Sequence, residues 1–231
     1  MTLIDIAASI ISGATRRVET SAQNIANMTT PGYKARREFP SIAASNAIAE
    51  PGGTIAANYS DFTTGKLSKT GSPFDLALTG PGFFVVRSAD SEFYTRDGQF
   101  SRGADGRLMT PDGLALQGTN GDVTVSASAK VLADGTVIDG GQPVARLAVA
   151  DFSDLKSLRS AGGSLFFATD ASRRDLPLPT VEQGALETSN VSTADEMITM
   201  MASLRSAEMG QHVVQTYDDL MGRVLTTFGQ S

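Results

Sequence analysis

The last forty residues, Val191 to Gly229, limit this chain more than any other stretch. Thr193-Ala194-Asp195-Glu196 has the form of a capping box: the Thr193 hydroxyl can take the Glu196 N–H while the Glu196 side chain returns to the Thr193 N–H. Beyond it runs a long helical pattern without proline. Met197, Met201, Leu204, Ala207, Gly210, Val214, Tyr217, Met221, Val224 and Phe228 form one stripe, with steps mostly of three and four, the seam of a helix that packs on other helices. Ile198, Ala202, Met209, Val213 and Leu220 widen it. Such a helix wants partners on more than one side. Gly229 stands where a C-terminal cap belongs.

Residues 2–27 supply the one other long helical pattern. Ile4, Ala7, Ile11, Ala14, Val18, Ala22 and Ile25 share a seam, with Leu3, Ile6 and Ile10 beside it. Many of these residues are small, so a second helix can approach closely. Two helices bury too little to be stable by themselves, because most helical stability comes from tertiary packing. The pair is therefore expected to be loose in an isolated molecule. Thr29-Thr30-Pro31-Gly32 ends the first helix, and Asn24 and Asn27 read as amides that cap it or face water. Tyr33-Lys34-Ala35-Arg36-Arg37 reads as a solvated basic face. From Ser41 to Gly65 no period is visible, and an extended linker is expected there.

Between Gly65 and Glu187 the pattern turns to β. Phe83–Arg87 and Glu92–Arg96 are predicted strands. Asp-Gly pairs recur at Asp97, Asp105, Asp112, Asp134 and Asp139, the chemistry of tight hairpins. Short strands are predicted at Arg107–Thr110, Leu114–Gln117, Asp122–Val125, Lys130–Ala133, Thr136–Ile138, Ala145–Phe152 and Leu165–Ala168, with one helical turn near Leu155–Leu158. Consecutive hairpins predict an antiparallel, meander-like domain. The fold class is thus mixed α and β. Two long terminal helices form a coiled-coil-like pair, and an antiparallel all-β domain is inserted between them. The divisions are 1–30, a linker over 31–65, a β domain over 66–187 and 188–231.

Chemistry finds little support. The chain has 231 residues, no cysteine and one histidine, so thiolate metal sites and disulfides are excluded. His212 lies within the C-terminal helical pattern and reads as solvated or interfacial, which leaves no Ser-His-Asp triad. The Asp-Gly pairs lack the spacing and closing glutamate of a calcium loop. Gly80-Pro81-Gly82 lacks the Gly-Lys-Ser/Thr of a phosphate loop. Phe83, Phe84 and Phe100 read as β core. A net charge of −6 without a basic stripe argues against nucleic acid. No apolar run approaches the ~18 residues of a membrane span, and the N-terminus lacks the pattern of a secretory signal. No enzyme, cofactor or metal is expected.

Three stretches carry a resemblance. Ser21-Ala22-Gln23-Asn24-Ile25-Ala26-Asn27 with Thr30-Pro31-Gly32-Tyr33-Lys34 resembles the N-terminal motif of the bacterial flagellar rod and hook proteins. Thr70–Phe84, continuing through Tyr94–Phe100 and Asp105–Leu108, resembles their second motif, and Gly184–Val191 the third. Ser206-Ala207-Glu208-Met209-Gly210 departs from the family's aromatic residue followed by Glu-Met-Asn, and Pro81 stands where an acidic residue is common. The resemblance implies a subunit whose terminal helices stack around a channel while the β domains form an outer layer. A head-to-tail interface that does not close makes such a filament, with the helix pair ordering on assembly. The implied assembly interface is Ile4, Ile11, Val18, Asn24, Ile25, Asn27, Met197, Met201, Leu204, Val214, Tyr217, Met221 and Val224. Implied partners are copies of the chain, neighbouring rod proteins and the flagellar type III export apparatus, which would carry it to the periplasm-spanning rod without a cleaved signal. A single β domain and modest length favour a proximal-rod member, with the distal rod as runner-up. A β-rich binding module on a helical stalk is the reading from a different class.

Overall fold

The computed structural model describes residues 3–40, 56–88, 91–168 and 173–228. Most of the expected linker, residues 41–55, and the expected cap Gly229 lie outside these residues. The chain forms two compact units. One comprises Met1–Ala26, Arg36–Tyr59 and Ser192–Ser231; the other comprises Asn27–Ala35 and Ser60–Val191.

The first unit holds α1 (Leu3–Ala26), β1 (Arg36–Pro40), β2 (Ala56–Ser60) and the long final helix α2 (Thr193–Phe228). At 36 residues α2 runs about 54 Å. The two helices pack against each other, and β1 pairs with β2 as a two-stranded sheet inside the expected linker stretch. The buried positions are small. On α1 they are Ala7, Ala14, Ser21 and Asn24; on α2 they are Glu196, Ser203 and Gly210. Apart from Asn24, the buried positions recur every seven residues on each helix, the repeat of a close helix seam. A Cβ on Gly210 would sit 2.7 Å from Ile11 Cγ1, so the backbones meet where no side chain fits. Ser203, buried in this seam, donates its hydroxyl to the Thr199 carbonyl one turn back.

The expected seams hold at Ala7, Ala14 and Gly210, which are buried, and are corrected elsewhere. Met197, Met201 and Leu204 are exposed, and the covered line runs through Glu196 and Ser203 before meeting the expected stripe at Gly210. On α1, Ser21 is buried and Ala22 exposed. A hydrophobicity pattern selects large residues, whereas a close seam selects small ones.

The second unit carries β3 (Leu67–Lys69), β4 (Leu76–Leu78), β5 (Phe83–Arg87), β6 (Glu92–Thr95), β7 (Ser101–Arg102), β8 (Leu108–Met109), β9 (Ala115–Gly118), β10 (Gly121–Asp122), β11 (Lys130–Val131), β12 (Thr136–Asp139) and β13 (Gln142–Arg146). Then follow β14 (Val149–Phe152), a 3₁₀ turn at Leu155–Ser157, β15 (Leu158–Gly162), β16 (Leu165–Ala168), β17 (Arg173–Asp175), β18 (Val181–Gln183) and β19 (Ala185–Glu187). Asp154 caps the 3₁₀ turn by accepting the Lys156 N–H at 2.9 Å.

The largest sheet is centred on β5. One edge of β5 pairs antiparallel with β6; the other is shared by β14 at Phe83–Phe84 and β9 at Val86–Arg87. Both edges of β5 are thus paired, and both of its faces are covered as well, which explains its unbroken apolar run. Phe84 and Val86 enter a core with Leu76, Leu116, Val137 and Leu147. Phe83 and Val85 enter another with Tyr94, Phe152 and Phe166. The simple meander is corrected: β5–β9, β6–β16, β5–β14, β4–β18 and β3–β19 are long-range antiparallel pairs that close the domain.

Four of the five Asp-Gly pairs form turns with positive φ, at Gly106, Gly113, Gly135 and Gly140. Gly98 differs. A Cβ there would lie 1.5 Å from the Leu76 carbonyl oxygen, so glycine is required by the backbone passing beside it.

Candidate functional site

Within the second unit, the segments that lead toward the helices converge on Glu187. Ala185 and Glu187 alternate onto one face of β19, and both are wholly buried. Glu187 Oε1 receives Lys34 Nζ at 2.6 Å and the Gly65 N–H at 2.8 Å; Oε2 faces Arg96 Nη1 at 3.4 Å. Lys34 Nζ also donates to the Thr63 carbonyl at 2.7 Å, and Arg96 Nη2 to the Gly80 carbonyl at 2.8 Å. The Arg96 guanidinium lies over the Phe83 ring, 5.3 Å from its centroid. Its Nε is buried without a hydrogen-bond partner.

Two cations thus share one buried carboxylate. Burial pushes the Lys34 ammonium below its ordinary value, and Glu187 offsets part of that through hydrogen bonding and charge. Burial lowers Arg96 in the same way, again opposed by Glu187. Glycine lets the backbones close in. A Cβ on Gly32 would lie 2.2 Å from the Arg96 carbonyl carbon, and one on Gly65 would lie 1.9 Å from the Thr188 oxygen. The three motifs quoted from the sequence meet here: Gly32 and Lys34 from the first, Arg96 from the second, Glu187 from the third.

The solvated reading of the basic run is corrected. Lys34 is 2 % exposed. In the first unit, Arg37 Nη1 reaches Glu196 Oε1 at 3.0 Å, and Arg36 Nη1 reaches Gln23 Oε1 at 2.8 Å. Asn24, read as a cap or a solvated amide, is fully buried: its Nδ2 donates to the Arg36 carbonyl at 2.9 Å and its Oδ1 accepts the Arg36 N–H at 2.8 Å. That two-point clasp fixes the start of β1 against the end of α1.

The remaining predicted interface residues divide by exposure. Ile4, Met197, Met201, Leu204 and Met221 are exposed. Ile11, Val18, Ile25, Val214 and Tyr217 are half-buried within the first unit. Asn27 belongs to the second unit and accepts the Thr30 hydroxyl at 3.3 Å. The Val224 side chain lies outside the described residues. Further large apolar side chains stand exposed on the same helices: Leu3, Ile6 and Ile10 on α1, and Ile198, Met209, Val213 and Leu220 on α2. Sequence reasoning missed Lys34, Glu187 and Arg96 as a set. One signal was available for Glu187, which shares the inward phase of Ala185.

Among the described residues no cluster of three metal-ligating side chains occurs, and no helix is long and apolar enough to cross a membrane. Residues 77–139 match the family model described as flagellar hook protein FlgE/F/G D1 domain, and residues 182–227 match flagellar basal body rod FlgEFG protein C-terminal. The chain is 32% identical to the flagellar basal-body rod protein FlgG of Agrobacterium fabrum, over 95% of this chain and 97% of that protein. It is 32% identical to the flagellar basal-body rod protein FlgF of Escherichia coli K12, over 88% of each. Likewise it is 30% identical to the FlgF of Caulobacter vibrioides, over 84% of each.

Proposed function

The chain belongs to the flagellar basal-body rod protein family, and on that premise we propose that it is a subunit of the proximal rod that assembles helically through the outward faces of α1 and α2. The family is structural, and the chain is a rod protein rather than an enzyme. One observation carries the assembly reading: among the described residues no large apolar side chain of α1 or α2 is fully buried, while many stand exposed. Burial of apolar surface is worth about 25 cal/mol per Å², so Met197, Met201, Leu204 and Met221 represent stabilisation that a neighbouring subunit would supply. Copies of the chain, other rod proteins and the flagellar type III export apparatus are the partners of this reading. A chain without cysteine has no disulfide to open before it is threaded.

The test is Met201→Glu in the full chain. Incorporation into basal bodies should be lost while the β domain melts as in the wild type. Normal incorporation would sink the assembly reading. Proximal placement is supported by a single β domain of modest size. The distal reading has its own observation, the alignment over 97% of a FlgG. Basal bodies purified from a strain lacking the outer rod segment should retain the chain if it is proximal and lack it if it is distal.

A further inference from the structure

A cavity of about 500 Å³ opens within the second unit, where β5, β13 and β17 bring Arg87, Arg146 and Arg173 to one place. Val85 and Arg87 share a face of β5, and Glu92 stands opposite Arg87 on β6. The turn from Gly118 to Gly121 forms one wall. A Cβ on Gly118 would sit 2.8 Å from the Arg146 carbonyl oxygen, so glycine lets the turn close on β13. The backbone of the walls is already committed. The Thr119 N–H donates to the Arg146 carbonyl at 2.8 Å, the Ala148 N–H to the Gln117 carbonyl at 3.0 Å and the Leu176 N–H to the Val149 carbonyl at 2.8 Å. Recognition in this cleft therefore falls to side chains.

The three cations are not equivalent. Arg173 is matched by two carboxylates, Glu92 through Nη1 and Asp175 through Nη2 at 2.9 Å. Arg146 Nη2 reaches Asp134 at 3.3 Å, but its Nε is buried without a hydrogen-bond partner. Arg87 is exposed, and its guanidinium makes no ion pair among the described residues. One guanidinium and one buried donor are thus left over. We propose that the cleft binds an acidic peptide, whose Asp or Glu carboxylate is taken by Arg87 and Arg146 while an adjoining apolar residue lies on Leu176 and Pro177. A guanidinium meets a carboxylate with two parallel N–H donors, and a buried donor without a partner gains most from an acceptor. Glu92 and Asp175 line the same cavity, so a doubly charged phosphate meets repulsion that a single carboxylate largely escapes. The volume is that of a small-ligand site. The cleft uses no residue of α1 or α2, so it stands or falls independently of the assembly reading.

The test is a titration of the isotope-labelled full chain with N-acetyl-Leu-Glu-amide, followed by amide chemical shifts. The Thr119, Gly121 and Ala148 amides should shift and saturate. N-acetyl-Leu-Gln-amide should bind about tenfold more weakly, the scale of one charge-assisted hydrogen bond. Arg87→Gln, at an exposed strand end, should weaken the acidic peptide by a similar factor and leave the core amides of Leu116 and Val137 in place. Should those core amides move, Arg146→Lys decides by the same ratio, because it keeps the charge and removes the Nε donor. No shift at the cavity amides, equal binding of the two peptides, or undiminished binding to the deciding variant overturns the proposal. Inorganic phosphate that shifts the same amides at a lower concentration than the acidic peptide also overturns it and assigns a general anion site.

Discussion

Lys34 Nζ stands 2.6 Å from Glu187 Oε1, and neither side chain is more than 2 % exposed. Arg96 completes the group with a second cation. Removing one member of a buried pair leaves an uncompensated charge, at a cost of about 3–5 kcal/mol. Glu187→Gln strands two cations, whereas Lys34→Met leaves Glu187 still facing Arg96. Urea unfolding of the full chain should therefore show the larger loss for Glu187→Gln. Equal losses would mean that packing, not charge, holds the junction.

Asp97 should make the β domain less stable as neutrality is approached from acid. Its carboxyl is pushed up to about 6, chiefly by burial, against 3.8 unperturbed. The folded state thus holds the proton more tightly than the unfolded chain. The stabilisation is complete below pH 3.8 and is lost as pH rises through about 6. Two pKa units correspond to about 3 kcal/mol at most. Asp97→Asn keeps the oxygen that accepts the Gln99 N–H and removes the titration. Melting temperatures between pH 4 and 7 should fall less steeply with pH in this variant, and it should exceed the wild type at pH 7.

Two glycines allow crowding to be separated from backbone strain. Gly113 has φ +81° with open space around it, while Gly98 has the Leu76 carbonyl oxygen 1.5 Å from where a Cβ would sit. Gly113→Ala should cost about 1–2 kcal/mol, the penalty of a left-handed conformation. Gly98→Ala should cost more than about 3 kcal/mol, since backbone must be displaced. Denaturant midpoints for the two variants check the order.

Gly210→Ala sets helix propensity against contact. Alanine gains about 1 kcal/mol over glycine in a helix interior, yet its Cβ meets Ile11 Cγ1 at 2.7 Å. Ile11 is half-buried and packed, so the clash should win and loosen α1. Gly210→Ala with Ile11→Ala should recover helicity above the Gly210→Ala single variant. A double-mutant cycle by circular dichroism reads the coupling, and additive effects would show that the two positions do not meet.

Much of the architecture was legible because it is local. Helix periodicity located α1 and α2, and the apolar run at Phe83–Val86 with its Asp-Gly turns announced an antiparallel β domain. What escaped was set by distant partners. Lys34 resembles any surface lysine until Glu187 is brought to it, and β5 shows no sign that β9 and β14 divide its edge. The helix seam was read only in part for another reason. Glu196 and Ser203 score as polar, yet both are buried, one against Arg37 and the other through a backbone carbonyl. The methionines of the stripe, expected on a packing seam, stand exposed, while Asn24 was taken for a cap and proved to be a clasp.

Lys34 and Glu187 are 153 residues apart in sequence, which gives their pairing a schedule. When a chain emerges through a narrow passage one end first, the early residues must wait. A leading Lys34 finds only water until the whole β domain has followed and Glu187 appears behind it. Such late closure is slow, because the long loop must form before the contact stabilises anything. It is also informative: the lock can shut only on a molecule whose middle has arrived in full. The buried ion pair would then act as a completion signal for the second unit, closing only once both ends of that unit are present.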